Sequence, residues 1–147
     1  MCDLYRVEVK RSRRKLRMKL PIPPSVNKIH YTDKGGVRRL TAASERYIRD
    51  VKALSRLFVD EQCWEKKTDA TWLYMDMVFF FPDRRIRDSH NCLKILLDAL
   101  EGVVFQNDYY VVPRIQSVEY SPSDPRVEVL FTDQTEVERQ KHLLRFS

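Results

Sequence analysis

The stretch Asp88-Ser89-His90-Asn91-Cys92-Leu93-Lys94 holds a carboxylate, an imidazole, an amide and an ammonium within seven residues. Arg84-Arg85-Ile86-Arg87 runs directly into it, and Gln106-Asn107-Asp108 follows after a helix-sized interval. Acids that can hold a divalent metal, next to cations that can hold phosphate, are the two halves of a phosphodiester-cleaving site. Mg2+ takes hard oxygen ligands and keeps several waters, so a few carboxylates suffice. A lysine held at the scissile phosphate can stabilise the pentacovalent transition state or help the leaving oxygen. Arginines grip flanking phosphates bidentately. Each residue also has a plain structural use. Asp88 or Ser89 can cap a helix. Lys94 and Asp98 can form a solvated i,i+4 pair worth about a few tenths of a kcal/mol. Asp108 and the arginines suit exposed turns. Their concentration in one neighbourhood of the sequence favours chemistry over four separate structural uses.

The elements that must position these groups follow from periodicity. Residues 89–100 read as a helix, with Leu93, Leu96, Leu97 and Leu100 on one side and Asn91, Lys94, Asp98 and Glu101 on the other. The leucines anchor the helix, so the polar row faces a cleft or solvent. Before it, residues 71–81 form the clearest strand, with Leu73, Met75, Met77, Phe79 and Phe81 on one face and Pro82 as its stop. A strand this apolar is expected centrally, in a sheet covered by helices. A first helix is predicted from Ala42, with Tyr47, Ile48, Val51, Leu54 and Phe58 as its apolar stripe and Thr41 or Ser44 as its cap. Residues 4–9, 16–20, 113–120 and 126–131 read as further strands. The last two are joined through Ser121-Pro122-Ser123-Asp124-Pro125. Residues 25–36 read as a loop turning at Gly35-Gly36, and Thr135-Glu136-Val137-Glu138 has the capping-box pattern of a short C-terminal helix. The order of elements predicts a small α/β (α+β) domain with a mixed sheet.

Composition supports a single globular domain. The 147 residues are 43% hydrophobic and 33% charged, with a net charge of +6. That excess suits a polyanionic partner. Arg13 and Arg14 belong to a crowded basic N-terminal arm, whose alternative reading is a solvated extension. No apolar run reaches the length of a membrane span, and the N-terminus lacks the apolar region of a signal peptide. Three cysteines without metal spacing or pairing pattern point to a reducing, cytoplasmic setting.

These residues carry a resemblance to the RusA family of Holliday-junction resolvases of bacteria and their prophages. Leu20-Pro21-Ile22-Pro23-Pro24-Ser25-Val26-Asn27 resembles the family's N-terminal signature. The run from Asp83 to Lys94 resembles its arginine-rich lead into Asp-x-Asp-Asn-x-x-Lys, and Asn107-Asp108-Tyr109-Tyr110-Val111 its Asp-Asp-x-x-Val. The resemblance covers roughly residues 18–131. It implies a nuclease domain at 18–132; outside it lie the basic extension at 1–17 and, from the capping-box pattern, a C-terminal helical extension at 133–147. It also implies a homodimer that binds four-way DNA junctions and makes paired nicks with Mg2+ or Mn2+, in DNA recombination and repair. Asp88 and Asp108 match metal-binding carboxylates, Lys94 the catalytic lysine, and Arg87 the basic residue before the first acid. Asn27, Lys28, Arg84, Arg85, Arg87, Arg13 and Arg14 are the expected DNA contacts.

Two positions depart from the pattern. His90 replaces the second aspartate, and Asn107 the first of the later acidic pair. His90 thus becomes the third expected metal ligand and a catalytic candidate. Imidazole suits Mn2+ better than Mg2+. The alternative implied by His90 is a branched-DNA-binding protein that no longer cuts.

Overall fold

The computed structural model describes residues 15–24, 29–68, 71–85 and 89–134, apart from the side chain of Asn91. The strand expected at residues 4–9 and the helix expected from Thr135 lie outside the described residues.

A four-stranded mixed sheet forms the centre, in the order β1 (Lys15–Leu20), β6 (Arg126–Asp133), β4 (Leu73–Phe81), β5 (Val111–Tyr120). β6 runs antiparallel to both β1 and β4, whereas β4 and β5 are parallel. Helix α1 (Ala42–Glu61) precedes β4, and α2 (Ser89–Leu100) is the crossover from β4 to β5. Parallel neighbours need such a crossover, because a tight turn cannot return the chain to the same end of the sheet. This is the mixed-sheet α+β domain expected from the order of elements.

β4 is interior, as its composition predicts. Its inner face is fully sealed: Leu73, Met75, Met77 and Phe79 have no exposed surface. Each such side chain stabilises the fold by about 1.5–3 kcal/mol relative to exposure. The opposite row, Tyr74, Asp76, Val78 and Phe80, is only half-buried and lies outside the core. Here the expectation of helix cover needs correction for the second face, where arginine side chains provide the cover instead. The Arg114 guanidinium lies 3.7 Å from the Tyr74 ring centroid, and that of Arg126 lies 3.8 Å from Phe80. β5 and β6, though consecutive, do not pair. β4 separates them, and Ser121 N–H donates to the Phe81 carbonyl as the chain crosses its end.

Residues 29–40 depart from the expected loop. They form a hairpin of β2 (His30–Thr32) and β3 (Arg38–Leu40). Its turn is closed by Asp33, whose carboxylate accepts from the N–H groups of Gly35 and Val37 and from Arg39. Gly36, at φ 80°, supplies the left-handed residue of that turn.

The thiols also differ from expectation. Cys92 is a buried thiol outside any disulfide, but Cys63, just beyond α1, is disulfide-bonded. Sequence spacing says nothing about which groups approach the end of α1 in space, so this bond was not legible.

Candidate active site

Helix α2 begins and ends where periodicity places it. Cys92, Ile95, Leu96, Ala99 and Leu100 are buried, with Leu93 and Leu97 packed at the margin. Lys94 consequently points outward, its side chain 71% exposed. His90 sits one turn earlier on the same face and is also exposed.

The carboxyl end of α2 is fixed from outside the helix. Lys52 of α1 donates from its ammonium to the carbonyls of Asp98 (3.1 Å), Ala99 (3.3 Å) and Glu101 (2.9 Å). Those carbonyls have no partner within a helix, and a cation there complements the helix dipole. Gly102, at φ 85°, then reverses the chain, and its N–H donates to Phe105. Val103, Val104 and Phe105 are buried by this reversal. Trp64 and Lys67 hold it in place: the indole and the Lys67 N–H both donate to the Val104 carbonyl, and Gln106 N–H donates to the Lys67 carbonyl. The chain emerges at Asn107, which caps a 3-10 turn (Asp108–Tyr110) leading into β5.

This path brings Asp108 back to α2. The Lys94 ammonium donates to Asp98 at 2.8 Å and lies 3.8 Å from the Asp108 carboxylate. The hydrogen bond to Asp98 holds the Lys94 pKa above its ordinary value, slight desolvation opposes this, and the charges of Asp98, Asp108 and Glu101 add to the rise. Lys94 therefore stays protonated at neutral pH. It can stabilise negative charge but is not a proton acceptor. Asp108 is about one-third exposed, and its only polar side-chain contact among the described residues is the long one to Lys94. Its oxygens remain available to a further partner.

Carboxylate oxygens are the donors a hard cation takes. Among the described residues, however, no three His, Cys, Asp or Glu side chains converge as a metal site. Asp88 lies outside the described residues, as do Arg87, Asn27, Lys28, Arg13 and Arg14. The sequence neighbourhood is only partly a spatial one. Lys94 and Asp108 come together, whereas Arg84 and Arg85 follow the carboxyl end of β4, and Asp108 precedes the amino end of its parallel neighbour. Arg84 lies 5.1 Å from the Tyr120 ring centroid at that far end, and Arg85 folds back on Asp83.

Sequence reasoning placed Asp98 in the polar row but did not include it among the site residues. Its i+4 spacing from Lys94 was the available signal. Lys52, Trp64 and Lys67, which position the site, carried no local signal. Tyr47 donates to the Pro21 carbonyl at 2.8 Å and so ties the proline-rich segment to α1. Burial pushes its phenol pKa well up, so it remains a donor.

The domain is thus a mixed sheet with a lysine–carboxylate cluster at the crossover of its parallel pair. The model of the family Endodeoxyribonuclease RusA matches residues 21–131, which contain this cluster, both helices and every strand from β2 onward except the last two residues of β6; β1 lies just before the match. The chain belongs to the RusA endodeoxyribonuclease family. No curated protein matches it.

Proposed function

We propose that this chain is a metal-dependent, structure-specific nuclease that resolves four-way DNA junctions by paired nicks, acting as a cytoplasmic homodimer in recombination and repair. The observation that supports it most is the Lys94 ammonium, anchored by Asp98 and facing the available carboxylate of Asp108. Two symmetric nicks need two sites related by a twofold axis, which a homodimer supplies. The nuclease domain spans residues 18–132, and the basic extension at 1–17 adds phosphate contacts.

Asp88, His90 and Asp108 would hold the divalent cation. When bound, that cation supplies Lewis-acid stabilisation of the scissile phosphate. Lys94 keeps its proton and presents N–H donors to the charge that develops on the phosphate oxygens. Asp98 fixes where that ammonium sits, so its charge is held at the reacting group and not merely near it. Arg84, Arg85 and Arg87 grip phosphates beyond the site, with Asn27, Lys28, Arg13 and Arg14 extending the track.

The test is a synthetic four-way junction offered with Mg2+ and, separately, with Mn2+. Symmetric nicks with either metal are expected. Binding without nicking in both would replace the nuclease by the branched-DNA binder that His90 suggests. His90→Asp separates the causes: a gain in Mg2+-dependent cutting places the limit at His90, and no gain removes it from suspicion.

A further inference from the structure

The aromatic group next to Asp108 has no part in the chemistry above. Tyr109 is 70% exposed, the most exposed of the large hydrophobic side chains among the described residues. A lone exposed tyrosine would call for no explanation. This one is braced from two sides. Its ring centroid lies 5.9 Å from Trp72 and 5.1 Å from Tyr110, the latter edge-on at 86°. Trp72 and Tyr110 also meet edge-on, at 5.4 Å. Three rings therefore support one another, and the outermost offers its surface to solvent.

The backbone beneath is equally fixed. Asn107 Oδ1 accepts from the Tyr109 N–H at 2.9 Å, and the Val111 N–H donates to the Asp108 carbonyl. Asn107 thus serves as the cap of this turn, which gives a structural use to a residue that departs from the family's acidic pattern. Tyr109 directly follows Asp108, whose carboxylate lies 3.8 Å from the Lys94 ammonium.

We propose that Tyr109 is a stacking shelf for an unpaired base of the branched DNA, and that it positions the strand whose phosphate lies at Lys94 and Asp108. Every base has a π-face, so an aromatic shelf holds a strand without reading its sequence. Tyrosine does this at low entropic cost, having two side-chain torsions, and here the ring is braced already. Branch points supply the unstacked bases that intact duplex withholds. This inference rests on the nuclease reading for its substrate.

The test uses the full chain and a four-way junction with 2-aminopurine at the branch-point nucleotides, plus a single-stranded oligonucleotide with the same probe. Wild type is expected to change the probe's fluorescence on binding both. Tyr109→Ala is expected to lose that change and to bind the single strand roughly five- to 150-fold more weakly, the range measured for removing one stacked base. KM for junction cutting should rise more than kcat falls, and Tyr109→Phe should restore all three readouts. An unchanged unfolding midpoint in Tyr109→Ala would exclude misfolding as the cause. Equal affinity and equal fluorescence in Tyr109→Ala and wild type would overturn the shelf. A Tyr109-dependent signal without cutting in either metal would leave the shelf standing and sink the nuclease reading. Cutting that is indifferent to Tyr109→Ala would do the reverse, and no DNA binding at all would overturn both.

Discussion

The acid–cation cluster on the open face of the sheet and the one on helix α2 differ in saturation. On the open face of the sheet, Asp76 accepts from Arg114 at 2.7 and 2.8 Å and from Gln116 at 2.7 Å. Arg114 in turn lies flat on Tyr74. The register shift between Met77 and Val78 leaves Gln116 without a partner on β4, and its amide reaches Asp76. On the outer face of α2, Lys94 makes one hydrogen bond, to Asp98, and one looser approach to Asp108. The Asp76 carboxylate is 17% exposed and Asp108 35%. A bidentate, stacked pair whose carboxylate also accepts from an amide has committed that carboxylate to the fold. A cation with neighbouring carboxylate oxygens unspent can still act on something else. Family membership places the second cluster in a nuclease; saturation explains why it, and not the first, is the candidate for chemistry.

The largest expected effect breaks that comparison at its functional end. Asp108→Asn should lower junction cutting on the order of a thousand-fold, since ligand charge lost at such a site costs several kcal/mol of transition-state stabilisation. Junction affinity, set mainly by phosphate contacts, should hold or rise. Single-turnover cleavage together with a gel-shift titration would separate the two. Loss of binding alongside cutting would show that Asp108 is structural.

The reciprocal change is Asp76→Ala. It leaves the Arg114 guanidinium and the Gln116 amide without their acceptor, at a cost of about 1–3 kcal/mol. In a chain of this size that lowers the unfolding midpoint by roughly 2–10 °C. Cutting per folded molecule should change less than about twofold. A stable but inactive Asp76→Ala would show that saturation is no guide to role in this protein.

The bounds of helix α2 were legible because its leucines, its polar row and the residues that bound it are all local, though its buried face centres on Cys92, Ile95, Leu96, Ala99 and Leu100, leaving Leu93 and Leu97 at the margin. β4 was legible for the same reason, though its second face was not: nothing in Tyr74 to Phe80 announces that arginines from β5 and β6 will cover it. The β2–β3 hairpin was missed because His30-Tyr31-Thr32 and Arg38-Arg39-Leu40 are short and polar, without alternation. Only the Gly35-Gly36 turn showed. What locks that turn is the Asp33 carboxylate, whose pKa is lowered first by Arg39 and then by the Val37 N–H. In the candidate site, Lys94 and Asp108 stand out in the sequence as residue types, but their meeting depends on the reversal at Gly102 and on Trp64 and Lys67. Arg84 and Arg85 show the opposite limit: close to the site in sequence, they sit towards the far end of the β4–β5 pair.

Lys52 sharpens the comparison by testing whether α2 must be held for its cluster to work. Lys52→Met keeps the aliphatic stem and removes the cation from three carbonyls at the end of α2. A loss of about 1–2 kcal/mol is expected, at the upper range for a cation at a partly buried helix terminus. Hydrogen exchange should show the loss concentrated in the last turn of α2, with cutting reduced several-fold as Asp98 and Lys94 loosen. Uniform destabilisation with unchanged cutting would mean that the cap serves the fold and not the site.

The smallest effect concerns pH. A lysine with a raised folded-state pKa contributes stability that is complete below its unfolded value, 10.5 for Lys94, and is lost only as pH rises through the higher folded value. The pair is largely exposed, so the contribution is about a few tenths of a kcal/mol. The stability difference between wild type and Lys94→Gln should therefore be flat from about pH 6 to pH 9 and shrink only at strongly alkaline pH. Cutting should follow the same logic: a protonated Lys94 imposes no falling limb on kcat/KM in that window. If such a limb is found in wild type and is abolished in an active Lys94→Arg, Lys94 loses its proton within that window, the raised pKa argued from Asp98 and Asp108 is overturned, and the contrast with the permanently charged Arg114 becomes one of charge retention and not of saturation.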